Sequence, residues 1–184
     1  MDIFYIDSDN FQVSNLQSYA AKQFNSSKAM VQHCLGRFLV QNVAESFYKI
    51  NSEIIVKNSK PCFKTEKICF SISHSNNIIL AAFDKYPVGV DIEYMKPRNF
   101  KPILERFNVN IENPGIEDFY KFWTEYEAKY KLQTKAKSIF TTKFLKDFML
   151  TVASSNPCNI SEQLKIYELN TDRDLNYQSI IYKH

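Results

Sequence analysis

Residues 68–94 read ICFSISHSNNIILAAFDKYPVGVDIEY and form the centre of the predicted fold. It contains three strand-like runs, at residues 68–73, 78–84 and 88–94, which are separated by two short polar gaps. Gaps of this length and composition typically join antiparallel neighbours. The stretch therefore predicts a meander of three strands.

Upstream of the meander, the sequence predicts one long helix. Ser26 or Ser27 can cap it, and it runs to about residue 48, because apolar residues recur there every three or four positions. Short strands are expected on both sides of this helix, at residues 2–6 and 54–56, and Lys60-Pro61 is expected to end the second.

Downstream of the meander, a Pro-rich connection over residues 95–114 leads to a second long helix. The connection predicts a short helix around residues 103–107. The long helix covers about residues 116–132 and is expected to start at Asn113-Pro114, with proline in its first turn. Three further strand-like runs follow, at residues 144–152, 163–169 and 177–182.

This order of elements predicts an α+β fold, because a helix followed by antiparallel strands occurs twice. We expect two similar halves, each a long helix packed on a small antiparallel sheet. The predicted halves are residues 1–86 and 87–184, with the functional site at their interface.

Composition excludes several classes of protein. The 184 residues contain three glycines, too few for a Walker loop or a G-x-G-x-x-G turn, so any phosphate must be bound by cations, hydroxyls and a metal. The four cysteines form no C-x-x-C pair, and we expect them to be reduced. The sequence has no basic leader and no membrane-length apolar run, and it predicts a soluble cytoplasmic protein.

Charge is concentrated in one segment. The net charge is only +3, yet residues 121–146 contain seven lysines and two acids, Glu125 and Glu127. This predicts a local positive surface for a polyanionic ligand or an acidic partner. The alternative is a solvated, lysine-rich face without a partner.

The end of the meander carries two acids that point the same way. Asp91 and Glu93 are two residues apart in a strand whose other face, with Val90 and Ile92, is apolar. Two carboxylates about 4 Å apart repel by about 1 kcal/mol in water and more in a protein, which favours a cation between them or protonation of one. Gly89 lies on the acid side and lets another group approach the backbone. The alternative is an exposed strand whose acids face water.

The second long helix carries a stripe at four-residue steps, formed by Trp123, Glu127 and Lys131. Together with Asp91 and Glu93, these residues make a plausible seat for a divalent metal and a phosphate. The alternative is a surface Glu-Lys pair beside a tryptophan that anchors the core.

A predicted phosphate-binding turn precedes the acids. Ser73-His74-Ser75 offers two hydroxyls and an imidazole between two predicted strands. The alternative is an ordinary polar turn. His33 lies among apolar residues and is expected to be structural, and the lack of a G-x-S-x-G elbow argues against a Ser-His-Asp triad.

Four segments in this order resemble the Sfp-type 4′-phosphopantetheinyl transferases, the monomeric class built as a pseudo-dimer. They are Lys60-Pro61, FSISHS at residues 70–75, VGVDIE at residues 88–93 and WTEYEAKYK at residues 123–131. The resemblance covers about residues 27–131. It implies transfer of the 4′-phosphopantetheine arm of coenzyme A to a serine of an apo acyl or peptidyl carrier protein, with release of adenosine 3′,5′-bisphosphate. The pathway served would make fatty acids, polyketides or nonribosomal peptides.

The resemblance also implies a role for each site residue. Asp91, Glu93 and Glu127 would hold Mg²⁺. Glu127 and Lys131 would be catalytic, and coenzyme A would be bound by Lys60, Ser73, His74 and Lys131. The expected protein is a monomer without nucleic-acid or membrane partners.

This sequence departs from the family pattern at several positions. The family lysine before the helix glutamate is Tyr126, the usual asparagine is Ser71, an arginine of the first helix is Gln32, and no glycine precedes Lys60. These changes leave open a non-catalytic or weakened relative that binds coenzyme A or a carrier protein. A nucleic-acid-binding protein is a third hypothesis, but it lacks a binding motif and leaves the three carboxylates unexplained.

Overall fold

The computed structural model describes residues 1–11, 16–20, 25–65, 67–170 and 178–180, the last of these by backbone alone. The described elements are, in chain order, β1 (Asp2–Asp7), a 3-10 turn (Leu16–Tyr19), α1 (Ser27–Ser46), β2 (Ile54–Lys57), β3 (Lys60–Phe63), β4 (Cys69–Ser75), β5 (Ile78–Asp84), β6 (Val88–Tyr94), α2 (Lys101–Arg106), α3 (Ile116–Leu132), β7 (Ser138–Phe144), β8 (Phe148–Ser154), α4 (Ile160–Gln163), β9 (Lys165–Glu168) and β10 (Gln178–Ile180). The predicted α+β class is confirmed.

The first sheet has the strand order β10-β9-β1-β5-β4. Strand β1 pairs antiparallel with β5 and parallel with β9. Helix α1 covers one face, where Leu39 and Val43 pack against Phe4 and Ile79. The helix begins as predicted, because the Ser26 hydroxyl accepts a hydrogen bond from the Ala29 amide at 3.4 Å.

The second sheet has the order β6-β8-β7, and both pairs are antiparallel. Its inner face packs on the other side of the first sheet, where Val90 and Ile92 share a core with Ile3 and Leu80. Helix α3 packs on its outer face. The layers therefore run from α1 through the two sheets to α3.

The predicted meander is wrong at its third strand. Strands β4 and β5 form the expected antiparallel hairpin, but β6 pairs with β8 instead of β5. The chain changes sheet at Tyr86-Pro87, and proline cannot donate to a strand ladder. This step lets Val88 of β6 turn into the core between the sheets.

Lys60-Pro61 does not end a strand, because it begins β3 of a separate two-stranded hairpin. The connecting residues Asn58 and Ser59 have φ angles of 51° and 62°, the left-handed conformation that a tight hairpin turn requires. The Gln133 side chain donates to the Asn58 carbonyl at 2.8 Å and holds the turn against the end of α3.

The strand predicted at residues 144–152 begins at the last residue of β7, crosses the turn at Leu145 and Lys146, whose φ angles are 44° and 63°, and ends within β8. The rest of β7 was not predicted. The run at residues 163–169 contains the end of α4 and then β9. Of residues 177–182, the structure describes 178–180 as β10, and the others lie outside the described residues.

Helices α2 and α3 lie close to where the sequence predicts them. The start of α3 differs, because Gly115 caps the helix and its amide donates to the Asp118 carboxylate at 3.0 Å. Pro114 therefore precedes the cap instead of lying in the first turn.

The division into two similar halves remains a prediction. Residues 1–86 and 87–184 each contribute a long helix and antiparallel strands, and β9 and β10 of the second segment extend the sheet of the first. None of the helices that the structure describes is both long enough and apolar enough to cross a membrane.

Candidate active site

Strand β6 presents its acids to α3. Residues 88, 90 and 92 point into the core between the sheets, so Gly89, Asp91 and Glu93 point outward. A β-carbon on Gly89 would lie 2.0 Å from the Ala128 carbonyl oxygen of α3. The close approach expected at this glycine is therefore made by the helix backbone, and it brings Glu127 and Lys131 over the acidic strand.

Three elements meet at Asp91, which is only 4% exposed. One carboxylate oxygen, Oδ1, accepts a hydrogen bond from Lys131 Nζ of α3 at 2.6 Å and another from Ser73 Oγ of β4 at 2.8 Å. Lys131 also donates to Ser73 Oγ at 3.0 Å. The ion pair joins the two sheets and the second long helix at one point.

The other oxygen of Asp91, Oδ2, is buried and has no hydrogen-bond partner in the part of the chain that the structure describes. Buried carboxylate oxygens are normally satisfied by donors or cations. The charge of Asp91 raises the pKa of two neighbouring acids, Glu127 and Glu93. Desolvation raises the pKa of Glu127, and Asp91 raises it further, whereas Lys131 lowers it.

Glu93 lies two residues further along the strand. Its Oε2 accepts a hydrogen bond from Ser75 Oγ at 2.8 Å. Desolvation raises the pKa of Glu93 and the charge of Asp91 adds to this, while hydrogen bonds from Ser75 and Trp123 oppose it. Within the described ranges, no three Asp, Glu, His or Cys side chains are grouped closely enough to hold a metal, so the metal assignment stays a prediction.

Serines on alternate residues of β4 bind the edge of β6. Ser71, Ser73 and Ser75 each accept a hydrogen bond from a β6 backbone amide, 19 residues further along the chain in every case. The acceptor distances are 3.1, 3.2 and 3.0 Å, and the donors are Val90, Ile92 and Tyr94. Sequence reasoning missed this serine ladder, as we call these three contacts. Its signal was the alternation of serine with larger residues.

The predicted phosphate turn lies inside β4, and Asn76 and Asn77 form the actual turn. The Ser73 hydroxyl faces Asp91 and Lys131. His74 alternates with the serines and points to the opposite face of the strand, where its side chain is exposed. Partial desolvation lowers the pKa of His74, and the Lys131 ammonium lowers it further.

Lys60 approaches the same region from the hairpin. Its ammonium donates to the Val88 carbonyl at 2.9 Å, and burial lowers its pKa. A cavity of about 200 Å³ is lined by both Lys60 and Lys131, together with Pro61 and Ser71. Two ammonium groups on one cavity suit a polyanionic ligand.

Tyr126 packs in an aromatic group on the outer side of α3. Its ring meets Phe107 edge to face, with centroids 4.6 Å apart, and also contacts Phe122 and Trp123. The side chain remains 39% exposed. The tyrosine thus attaches the segment after α2 to α3, which gives it a packing role.

Comparison with known proteins finds several 4′-phosphopantetheinyl transferases. The transferase ffp of Bacillus subtilis is 31% identical over 157 residues, which span 74% of this chain and 68% of that protein. Sfp of Bacillus subtilis strain 168 is 29% identical over the same shares. The transferase gsp of Aneurinibacillus migulanus is 28% identical over 174 residues, which are 86% of this chain and 73% of that protein. No protein-family model matches the chain.

Proposed function

The chain belongs to the Sfp-type 4′-phosphopantetheinyl transferases, a family of enzymes, and from this premise we propose its reaction. It transfers the 4′-phosphopantetheine arm of coenzyme A to a serine hydroxyl of an apo acyl or peptidyl carrier protein. Adenosine 3′,5′-bisphosphate is the other product. The reaction depends on Mg²⁺.

One observation carries this proposal: Asp91, Lys131 and Ser73 meet from three different elements, and Lys131 also lines a cavity with a second lysine. An acid and a base held this close offer a cation-binding oxygen beside a phosphate-binding ammonium. A pyrophosphate with its metal ion needs both. A surface Glu-Lys pair would need neither the burial nor the third partner.

The donor chemistry of the side chains suits a magnesium ion, although the described carboxylates are not grouped closely enough to hold one as they stand. Asp91 has a buried oxygen without a partner in the described part of the chain, and Glu93 and Glu127 each have a pKa raised in part by that charge. Carboxylate oxygens are the ligands that Mg²⁺ prefers. Asp91, Glu93 and Glu127 would hold the ion, which would neutralise the pyrophosphate of coenzyme A and orient it.

Glu127 acts as the general base. The carrier serine oxygen forms a bond to the phosphorus that bears the pantetheine arm, and the bond from that phosphorus to the bridging oxygen breaks with its electron pair. The serine proton passes to Glu127. A carboxylate with a raised pKa suits this role, because a base works best when its pKa lies nearer the operating pH.

Cationic and polar side chains hold coenzyme A. Lys131 donates hydrogen bonds to the pyrophosphate and stabilises charge as the bond breaks. Lys60 binds the nucleotide end from the other side of the cavity that it shares with Lys131. Ser73 and His74 are assigned to the same end on the family resemblance. Tyr126 stands where the family has a lysine, and it packs in the aromatic group against Phe107. The second candidate function is therefore a weakened or non-catalytic relative. The transfer assay below distinguishes the two candidates.

The test is incubation of the protein with coenzyme A, Mg²⁺ and apo carrier proteins from fatty-acid, polyketide and peptide synthesis. Intact mass should show one added phosphopantetheine on a carrier. EDTA should stop the reaction, and excess Mg²⁺ should restore it. Binding of coenzyme A without transfer to any carrier would identify the second candidate instead.

A matched pair of glutamates on α3 tests the assigned base. Glu127→Gln should lower the transfer rate by about 10²–10⁴-fold, the usual contribution of general base catalysis. Glu125→Gln should keep the wild-type rate, because Glu125 accepts hydrogen bonds from Thr141 and Lys129 and, among the described contacts, from no residue assigned to the site. Equal rates in the two variants would contradict the role given to Glu127.

A further inference from the structure

The serine ladder does more than join two sheets. All three of its hydroxyls accept a backbone amide of β6 at nearly equal distances, so each serine contributes the same kind of bond to the joint. The serines differ in where the hydroxyl proton goes. Ser71 donates to no carboxylate among the described residues, Ser73 donates to Asp91, and Ser75 donates to Glu93.

Ser75 of β4 links the Glu93 carboxylate to the backbone of β6, the strand that carries Glu93. The oxygen accepts from the Tyr94 amide at 3.0 Å and donates to Glu93 at 2.8 Å. A hydroxyl has one proton to donate, and the amide fixes the direction from which the oxygen is approached. Because the Tyr94 amide occupies one side of the oxygen, the single hydroxyl proton of Ser75 points toward Glu93.

Glu93 needs such an anchor more than Asp91 does. Asp91 is short, nearly buried and already paired with Lys131. Glu93 has one more rotatable bond, is only half-buried, and has no ion-pair partner among the described residues. Without Ser75, the hydrogen bond from Trp123 would remain, but the carboxylate would lose its only link to the β6 backbone among the described contacts and would sample more orientations beside Asp91.

We propose that Ser75 is a positioning residue, which holds the Glu93 carboxylate in place beside Asp91 and thereby fixes one ligand of the metal site. The inference rests on the proposed function, since it assigns Glu93 to that site. In this proposal the Ser75 hydroxyl binds the Glu93 carboxylate, whereas the Ser73-His74-Ser75 motif predicted that it binds a phosphate.

The chain supplies its own control. Ser71→Ala and Ser75→Ala each remove one amide acceptor of the ladder, so both should lower thermal stability. Only Ser75→Ala also releases a carboxylate. Ser75→Thr keeps a hydroxyl and suits a strand.

The closing experiment measures Mn²⁺ binding by electron paramagnetic resonance on the folded full chain with coenzyme A present, and the transfer rate alongside it. Mn²⁺ takes the same oxygen ligands as Mg²⁺. Ser75→Ala should weaken Mn²⁺ binding by about 10–100-fold, the range found when a residue supporting a metal ligand is lost. Ser71 lines the coenzyme A cavity but donates to no carboxylate among the described residues, so at saturating coenzyme A Ser71→Ala should keep the Mn²⁺ affinity of the wild type. Ser75→Thr should recover most of the loss.

Equal Mn²⁺ affinity and equal transfer in Ser75→Ala and Ser71→Ala would overturn the inference and leave the proposed function intact. A folded Ser75→Thr that binds as weakly as Ser75→Ala would also overturn it. If the wild type neither binds Mn²⁺ nor transfers, the proposed function fails before any variant is compared, and the inference falls with it.

Discussion

Asp91 is a nearly buried carboxylate whose charge is balanced by Lys131 at 2.6 Å. Removing a charge from water is costly unless a partner with good geometry replaces the solvent. Lys131 supplies that partner and at the same time lines the cationic cavity. The same ammonium should therefore matter for folding and for phosphate binding.

Two lysines on α3, Lys131 and Lys129, allow the contribution of the Asp91 pair to be compared with that of a surface ion pair. Lys131→Ala should lower the free energy of unfolding by about 1.5–3 kcal/mol, the usual cost of losing a hydrogen bond to a charged group, and should abolish transfer. Lys129→Ala breaks an exposed pair with Glu125 and should cost only about 0.3–0.5 kcal/mol. Urea denaturation measures both. Equal stability losses would show that the Asp91 pair contributes no more than a surface contact.

The orientation of single site residues was predictable where strand geometry alone determines the face on which a side chain lies. The two-residue period placed Asp91 and Glu93 on one face and Val90 and Ile92 in the core. Gly89 correctly indicated a close backbone approach. The serine ladder was missed, because the alternation of serine with larger residues indicates a polar strand face but not which distant strand that face bonds.

At the scale of elements, the sequence misled at two turns that the chain makes without glycine, whereas the Asn76 turn and the end of α3 at Gln133 lie where it predicts them. Among the described residues no glycine has a positive φ, yet Asn58, Ser59, Gln133, Leu145 and Lys146 all do. Such a conformation costs about 1–2 kcal/mol for a residue with a side chain, and turn prediction relies on its rarity. The strand predicted at residues 144–152 therefore included the Leu145-Lys146 turn near its start, and the Asn58-Ser59 turn was overlooked.

The packing of α3 on β6 depends on a missing side chain. Gly89→Ala places a methyl group 2.0 Å from the Ala128 carbonyl oxygen and 2.6 Å from the Leu132 nitrogen, both of which are backbone atoms. The helix must move, at a cost of about 1–3 kcal/mol for overpacking. Because the same helix carries Glu127 and Lys131, transfer should fall more steeply than stability.

Gly36→Ala is the matched control for this element. Its new methyl group would lie 3.2 Å from a side-chain methyl of Ile72, which can adjust, and alanine favours the helix. Thermal melts and transfer assays of the two variants test the contrast. A Gly89→Ala protein with wild-type stability and activity would show that α3 is not held against β6 as described.

At the scale of the whole molecule, one core belongs to both sheets. Ile3 and Leu80 of the first sheet and Val90 and Leu150 of the second lie in a single buried cluster. Strand β9 then returns from the second sheet to pair with β1. A chain built this way cannot expose one sheet without uncovering the other, so the two predicted halves should unfold together.

The sole tryptophan makes this testable. Trp123 lies on α3, on the far side of both sheets from α1, so its fluorescence reports on the second sheet. Leu39→Ala removes a fully buried side chain from the α1 layer and should cost about 2–5 kcal/mol. If the sheets unfold as one unit, this remote change lowers the urea midpoint of Trp123 fluorescence as much as that of far-UV circular dichroism. Leu150→Ala, within the shared core, should shift both signals in the same way. If Leu39→Ala left the Trp123 midpoint unchanged while the dichroism midpoint fell, the halves would be independent units, and the shared core would not couple them.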